Sequence, residues 1–170
     1  MQAFSDRVLC SGGGQRHGLA GRLSDGRERE SFIVADETTE ITLASRIESI
    51  AEAATVASQV ASRLRLNEEA AFGLDLAVRE AVTNAVLHGN RQDASQPVEL
   101  AFTDDGTELV VTVRDRGEGF NPEAVPDPTD AQNLLKASGR GILFIRTFMD
   151  TVEWSRHPEG GTIVRMTKKR

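Results

Sequence analysis

Glu80, Asn84 and His88 stand four residues apart in the stretch Arg79-Glu80-Ala81-Val82-Thr83-Asn84-Ala85-Val86-Leu87-His88-Gly89-Asn90. On a helix turning about 100° per residue, they fall within an arc of about 80° and stack on one side of the rod. The same stretch carries Leu74, Leu76, Ala77, Val78, Ala81, Val82, Ala85, Val86 and Leu87. A helix apolar nearly all round is a buried helix. Polar groups on buried surface cost free energy unless something satisfies them. Either other protein groups meet this carboxylate, amide and imidazole, or a ligand does.

Two further patches have chemical potential. Ser138-Gly139-Arg140-Gly141 opens an apolar segment. Glycines at a helix start let backbone come close, and unpaired N–H groups with the helix dipole favour a phosphate. Two glycines before a helix also make an ordinary turn. The segment is neither a Walker A loop nor a G-x-G-x-x-G fingerprint. The other patch is Asp115, at the end of Leu109-Val110-Val111-Thr112-Val113-Arg114-Asp115. Period-two alternation puts it on the side of Leu109, Val111 and Val113, aimed inward if that side is the core. Taken singly, Asp115 is a strand-end cap, Glu80 a paired structural carboxylate and His88 a helix-end cation.

These residues need elements to position them. Glu40 to Ser45 alternates like an edge or half-buried strand. Ile47 to Arg65 has helical spacing, and Asn67 is an N-cap for the long apolar helix that ends near His88-Gly89. Val98, Leu100 and Phe102 alternate up to the turn Asp105-Gly106, and the strand through Asp115 returns. Asn121 to Asp130 is too rich in Pro and Asp for regular structure. Ile142 to Met149 is helical, and a hairpin pairs 151–155 with 162–167 across Pro158-Glu159-Gly160-Gly161. This order predicts an α+β fold with one mixed or antiparallel sheet and helices on one face.

At 170 residues the chain suits one domain with a real core, here 38–170, behind a flexible leader at 1–37. A net charge of −6 gives no electrostatic reason to expect nucleic acid. Lys168-Lys169-Arg170 is the one cationic cluster and is expected to be a solvated terminus. No apolar run approaches the roughly 18 residues of a membrane span. Cys10 is alone, so neither a disulfide framework nor a cysteine metal site is expected, and the expected compartment is the reducing cytoplasm.

The sequence E-x-x-x-N-x-x-x-H, then V-x-D-x-G-x-G, then S-G-x-G and a closing G-T-x-V covers residues 80–164. It resembles the ATP-binding domain of the GHKL superfamily, shared by type II topoisomerases, heat-shock chaperones, histidine kinases and mismatch-repair ATPases. Glu80-Ala81-Val82-Thr83-Asn84-Ala85 followed by His88-Gly89 is most similar to its anti-sigma-factor serine kinase branch. That resemblance implies a Bergerat-type two-layer α/β sandwich with a mixed, mostly antiparallel sheet.

It also implies ATP and Mg²⁺ as cofactors. Asn84 would ligate Mg²⁺, and Glu80 would be the general base. Asp115 would accept a hydrogen bond from the adenine amino group, supported by Thr162. Gly117 and Gly119 would let the chain pass close to the nucleotide, under a lid at 120–138. Ser138, Gly139, Arg140, Gly141 and Ile142 would hold phosphates. Ala137 stands where some members carry an arginine, and Lys136 and Arg140 are the cations available in its stead. His88 keeps a structural role as a helix-end cap.

A serine hydroxyl needs activation more than an imidazole does, so Glu80 favours transfer to serine or hydrolysis. The implied function is an ATP-dependent serine kinase acting as an anti-sigma factor, with a sigma factor and a small antagonist as partners. A homodimer is expected, with no membrane and no direct nucleic acid. The alternatives are a nucleotide-sensing interaction module and the detached catalytic domain of a two-component histidine kinase.

Overall fold

The structure, a computed structural model, describes residues 37–118 and 140–170. In chain order its elements are β1 (Glu37–Ala44), α1 (Glu48–Arg63), α2 (Glu68–Asn84) with a π-helical turn (Ala85–Gly89), and β2 (Pro97–Asp104). Then come β3 (Glu108–Arg114), α3 (Arg140–Phe148), β4 (Thr151–Arg156) and β5 (Thr162–Lys169). The expected leader, apart from Glu37, lies outside the described residues, as does the stretch from Gly119 to Gly139.

The strands form one sheet in the order β1-β2-β3-β5-β4. Every neighbouring pair is antiparallel, which selects the antiparallel arm of the expected fold. Alternation decides which face is covered. Val98, Leu100 and Phe102 on β2, Leu109, Val111 and Val113 on β3, and Val164 and Met166 on β5 are all buried. They form one core with Ala53, Ala57 and Val60 of α1, Leu74, Val78 and Val82 of α2, and Ile145 of α3. All three helices therefore cover one face of the sheet. The opposite face keeps Glu99, Thr112 and Arg114 partly in solvent.

Helix α2 lies between α1 and α3 and carries the residues of interest. Asn67 caps it as expected, its side-chain oxygen accepting the Ala70 N–H at 2.8 Å. Such a cap contributes about 1 kcal/mol. Gly73 lets α3 come close, since a Cβ there would stand 3.0 Å from Phe148 Cβ. Helix α1 stops at Arg63, short of the expected Arg65. Arg65 has left-handed backbone, φ 53°, and Leu66 N–H donates back to Ala61 O at 3.0 Å.

Two local expectations change. The terminal Lys168-Lys169-Arg170 is not merely solvated. Arg170 pairs with the nearly buried Asp104 at 3.1 Å and donates to the Leu64 carbonyl at 3.0 Å. Lys168 Nζ donates to the Phe148 carbonyl at 3.0 Å, tying β5 to α3. The second change is at the end of α2, where the helix widens. Asn90 N–H reaches Ala85 O at 2.8 Å, five residues back. Within that π turn the residues no longer follow the regular helical period, and His88 comes out exposed.

Candidate nucleotide-binding site

Glu80 and Asn84 sit one turn apart on α2, both half-buried rather than sealed in the core. Burial raises the proton affinity of Glu80 above the ordinary glutamate range. The first turn of α3 meets this carboxylate directly: a Cβ on Gly141 would run into Glu80 Oε2. A side chain there would have to displace the end of Glu80. Arg140 and Ile142 flank Gly141 in the same turn. A carboxylate and the N-terminal end of a helix thus meet, with the Asn84 amide one turn further along α2.

The far end of α2 approaches Asp115. Nine residues separate Glu80 from Gly89, about 13 Å at about 1.5 Å of rise per residue. A Cβ on Gly89 would come within 2.5 Å of Asp115 Cγ. One on Gly117 would run into the Gly89 carbonyl oxygen, and one on Gly161, whose φ is +92°, into the Asp115 carbonyl oxygen. These approaches leave no space for a side chain at Gly89, Gly117 or Gly161.

Asp115 is 5% exposed and points inward, as strand alternation requires. Its N–H donates to Thr162 O at 3.0 Å. Its Oδ1 accepts the N–H of Gly117 at 2.9 Å and that of Thr162 at 3.0 Å. Pinned through one oxygen, the carboxylate presents Oδ2 on the Gly89 side. Thr162 Oγ1 is buried and has no hydrogen-bond partner among the described residues. An orphaned buried hydroxyl is costly unless a ligand or water meets it. An acceptor oxygen and an unused hydroxyl, on residues hydrogen-bonded to each other through the backbone, suit a ligand edge that both donates and accepts.

Of the residues expected at the site, Asp115, Gly117 and Thr162 come together at one end. Glu80 and Gly141 meet at the other, with Asn84 one turn further along α2, and Arg140 and Ile142 beside Gly141. Gly119, Lys136, Ser138 and Gly139 lie outside the described residues, as does the expected lid. Among the described residues no cluster of three or more His, Cys, Asp or Glu could hold a metal ion by itself. The Asn84 amide oxygen still fits a hard cation that draws its other ligands from phosphate and water.

Three site residues were not foreseen. Gly89 and Gly161 look in sequence like turn glycines, yet both are close-contact positions against Asp115. Asn90 looks like a helix stop and is instead 3% exposed, with its side chain fully engaged. Their sequence signals were the Gly89-Asn90 pair at the end of an apolar helix and Gly161 in the closing G-T-x-V.

Among the described residues, three helices cover one face of an antiparallel sheet, with Glu80 against the first turn of α3, in an α+β domain. The family model for the histidine kinase-like ATPase domain matches residues 43–168. The chain belongs to that family. Within it, the chain is similar to an anti-sigma F factor of Heyndrickxia coagulans, at 39% identity over 100 residues, covering 56% of this chain and 67% of that one. It is also similar to the serine-protein kinase RsbW of Halalkalibacterium halodurans, at 30% identity, covering 78% and 83% of the two chains.

The match spans 64% of the anti-sigma F factor of Bacillus subtilis and 91% of that of a Thermoanaerobacter species. A crystal structure of RsbU and RsbW domains from Mycobacterium tuberculosis shares the fold, with a TM-score of 0.56 at 18% identity. It covers 78% of this chain and 32% of that one. Among the described residues no helix is long and apolar enough to cross a membrane.

Proposed function

We propose that this chain is an ATP-dependent protein-serine kinase that acts as a partner-switching anti-sigma factor. It binds a sigma factor and phosphorylates a small antagonist protein on serine. The chain acts as a homodimer in the cytoplasm, through a catalytic domain at 38–170 that follows a leader at 1–37. The names of its anti-sigma and serine-kinase relatives support this reading. The single observation that carries it is Glu80, half-buried against Gly141 at the start of α3, with Asn84 one turn further on.

In this reading Asp115 Oδ2 accepts a hydrogen from the adenine amino group, and the Thr162 hydroxyl engages the same edge of the base. Gly117 and Gly119 keep the backbone close to the nucleotide. The polyphosphate runs along α2 toward Arg140, Gly141 and Ile142 at the start of α3, and Lys136, Ser138 and Gly139 would complete its binding. Asn84 holds Mg²⁺ through its amide oxygen. When bound there, Mg²⁺ would supply positive charge that offsets the polyphosphate's own.

Glu80 takes the proton from the serine hydroxyl as its oxygen attacks the γ-phosphorus. The new serine O–P bond forms while the bridging P–O bond to the β-phosphate breaks, and ADP leaves. Burial suits Glu80 to this task, because a base with raised proton affinity drives the transfer harder.

Incubation with labelled ATP, Mg²⁺ and the antagonist should label a serine. Glu80→Ala should abolish that label while nucleotide still binds. Equal labelling by Glu80→Ala would sink the general-base role. Bound ATP with no transferred label would make the chain a nucleotide-sensing module, and a labelled histidine would make it half of a two-component kinase.

A further inference from the structure

The side chain of Asn90 links three parts of the chain that are distant in sequence. Its Nδ2 donates to Ser45 Oγ at 2.8 Å, just beyond β1, and to the carbonyls of Gln96 and Pro97 at 3.2 and 3.1 Å, where β2 begins. Its Oδ1 accepts the backbone N–H of Arg116 at 2.7 Å. Ser45 is itself 1% exposed and donates to the Gln96 carbonyl at 2.6 Å. The amide therefore has a scaffold side and a site side.

The site side is the one that bears on the ligand. Arg116 lies between Asp115 and Gly117, and the three consecutive N–H groups have three different partners. Asp115 N–H goes to Thr162 O, Arg116 N–H to Asn90 Oδ1, and Gly117 N–H to Asp115 Oδ1. The middle bond alone ties this turn to the helical layer through a side chain. Without it, Arg116 N–H loses a partner in a part-buried place, and the turn that orients the Asp115 carboxylate is free to shift.

We propose that Asn90 is a positioning residue for nucleobase selection, clamping Arg116 so that Asp115 discriminates a 6-amino from a 6-oxo purine. The inference rests on the reading of Asp115 as the adenine acceptor. A 6-oxo group would place an acceptor against a carboxylate and leave both unpaired. The hydrogen bond at stake, one to a charged group, corresponds to about tenfold or more in relative affinity.

The test compares binding of ATP and inosine triphosphate by the full chain, with melting followed in parallel. The unaltered chain should prefer ATP by about tenfold or more. Asn90→Ser, too short to reach Arg116, should cut that preference by about tenfold. Asn90→Asp keeps the acceptor for Arg116 N–H but loses the donors to Gln96 and Pro97. It should melt lower and keep its preference within about twofold of the unaltered chain, which a merely structural role for Asn90 does not allow.

Retained preference in Asn90→Ser overturns the inference and leaves the adenine reading standing. So does lost preference in a folded Asn90→Asp. If Asn90→Ser does not fold, Asn90→Asp decides alone. An unaltered chain without preference overturns the reading of Asp115 and this inference with it.

Discussion

The Cα of Gly89 faces the carboxyl group of Asp115 with space for a hydrogen and nothing larger. A Cβ at Gly89 would stand 2.5 Å from Asp115 Cγ and 2.6 Å from its Oδ2. Both residues are held, one by the π turn and one by the Thr162 and Gly117 amides, so neither can yield cheaply. Gly89→Ala should therefore lower ATP affinity by about tenfold and cost about 1–3 kcal/mol of stability, as overpacking does. Nucleotide titration together with a denaturant melt measures both. Unchanged affinity would show that the contact does not set the Asp115 carboxylate.

Glu80 predicts opposite effects on rate and stability. Its carboxyl binds a proton more tightly in the folded chain, because burial disfavours the charged form. The stability linked to that proton is fully present below the ordinary glutamate range and is lost as pH rises through the raised value. Glu80→Gln should accordingly melt higher than the unaltered chain at neutral pH, with the gain vanishing in acid. Phosphotransfer by the same variant should fall by about 10²–10⁴-fold. A gain in melting temperature that is the same at both pH values would contradict the burial argument.

Asn84 predicts a metal-dependent effect. Asn84→Ala should weaken ATP binding in millimolar Mg²⁺ while leaving binding in chelator close to unchanged, since only the metal-bridged contact is removed. Equal weakening under both conditions would assign Asn84 to the nucleotide rather than to the ion.

Asp105 anchors the β2–β3 hairpin turn. The Thr107 hydroxyl, then the N–H groups of Glu108 and Thr107, hydrogen-bond its carboxylate and hold its pKa down to about 2. A depressed value means the stabilising contribution is present above the ordinary aspartate range and is lost as pH falls toward about 2. Carboxyl-carbon NMR should place the Asp105 titration there, and Thr107→Ala should move it upward. A titration left in place by Thr107→Ala would remove the hydroxyl as the main cause.

What could be read from sequence was what is local or periodic. Asn67 sits just before an apolar run, and strand alternation alone aimed Asp115 inward. Both signals operate within a few residues. The ties of Asn90 to Ser45 and Arg116 reach 45 and 26 positions along the chain, so no window of sequence contains them. The same holds for Gly161, whose contact with Asp115 depends on β3 and β5 lying side by side. The phase of His88 failed for another reason. A regular helical period was extended through Ala85–Gly89, where the chain takes a wider turn that apolar spacing does not mark.

That wider turn works as slack in the helix. Glu80 and Asn84 precede it, Gly89 ends it and Asn90 follows. Each of its residues sweeps less than the about 100° of a regular helix, so the five of Ala85–Gly89 cover about the angle of four ordinary ones. The extra residue is thus absorbed locally, and the two ends of the site keep nearly the mutual rotation that a shorter, regular turn would give them.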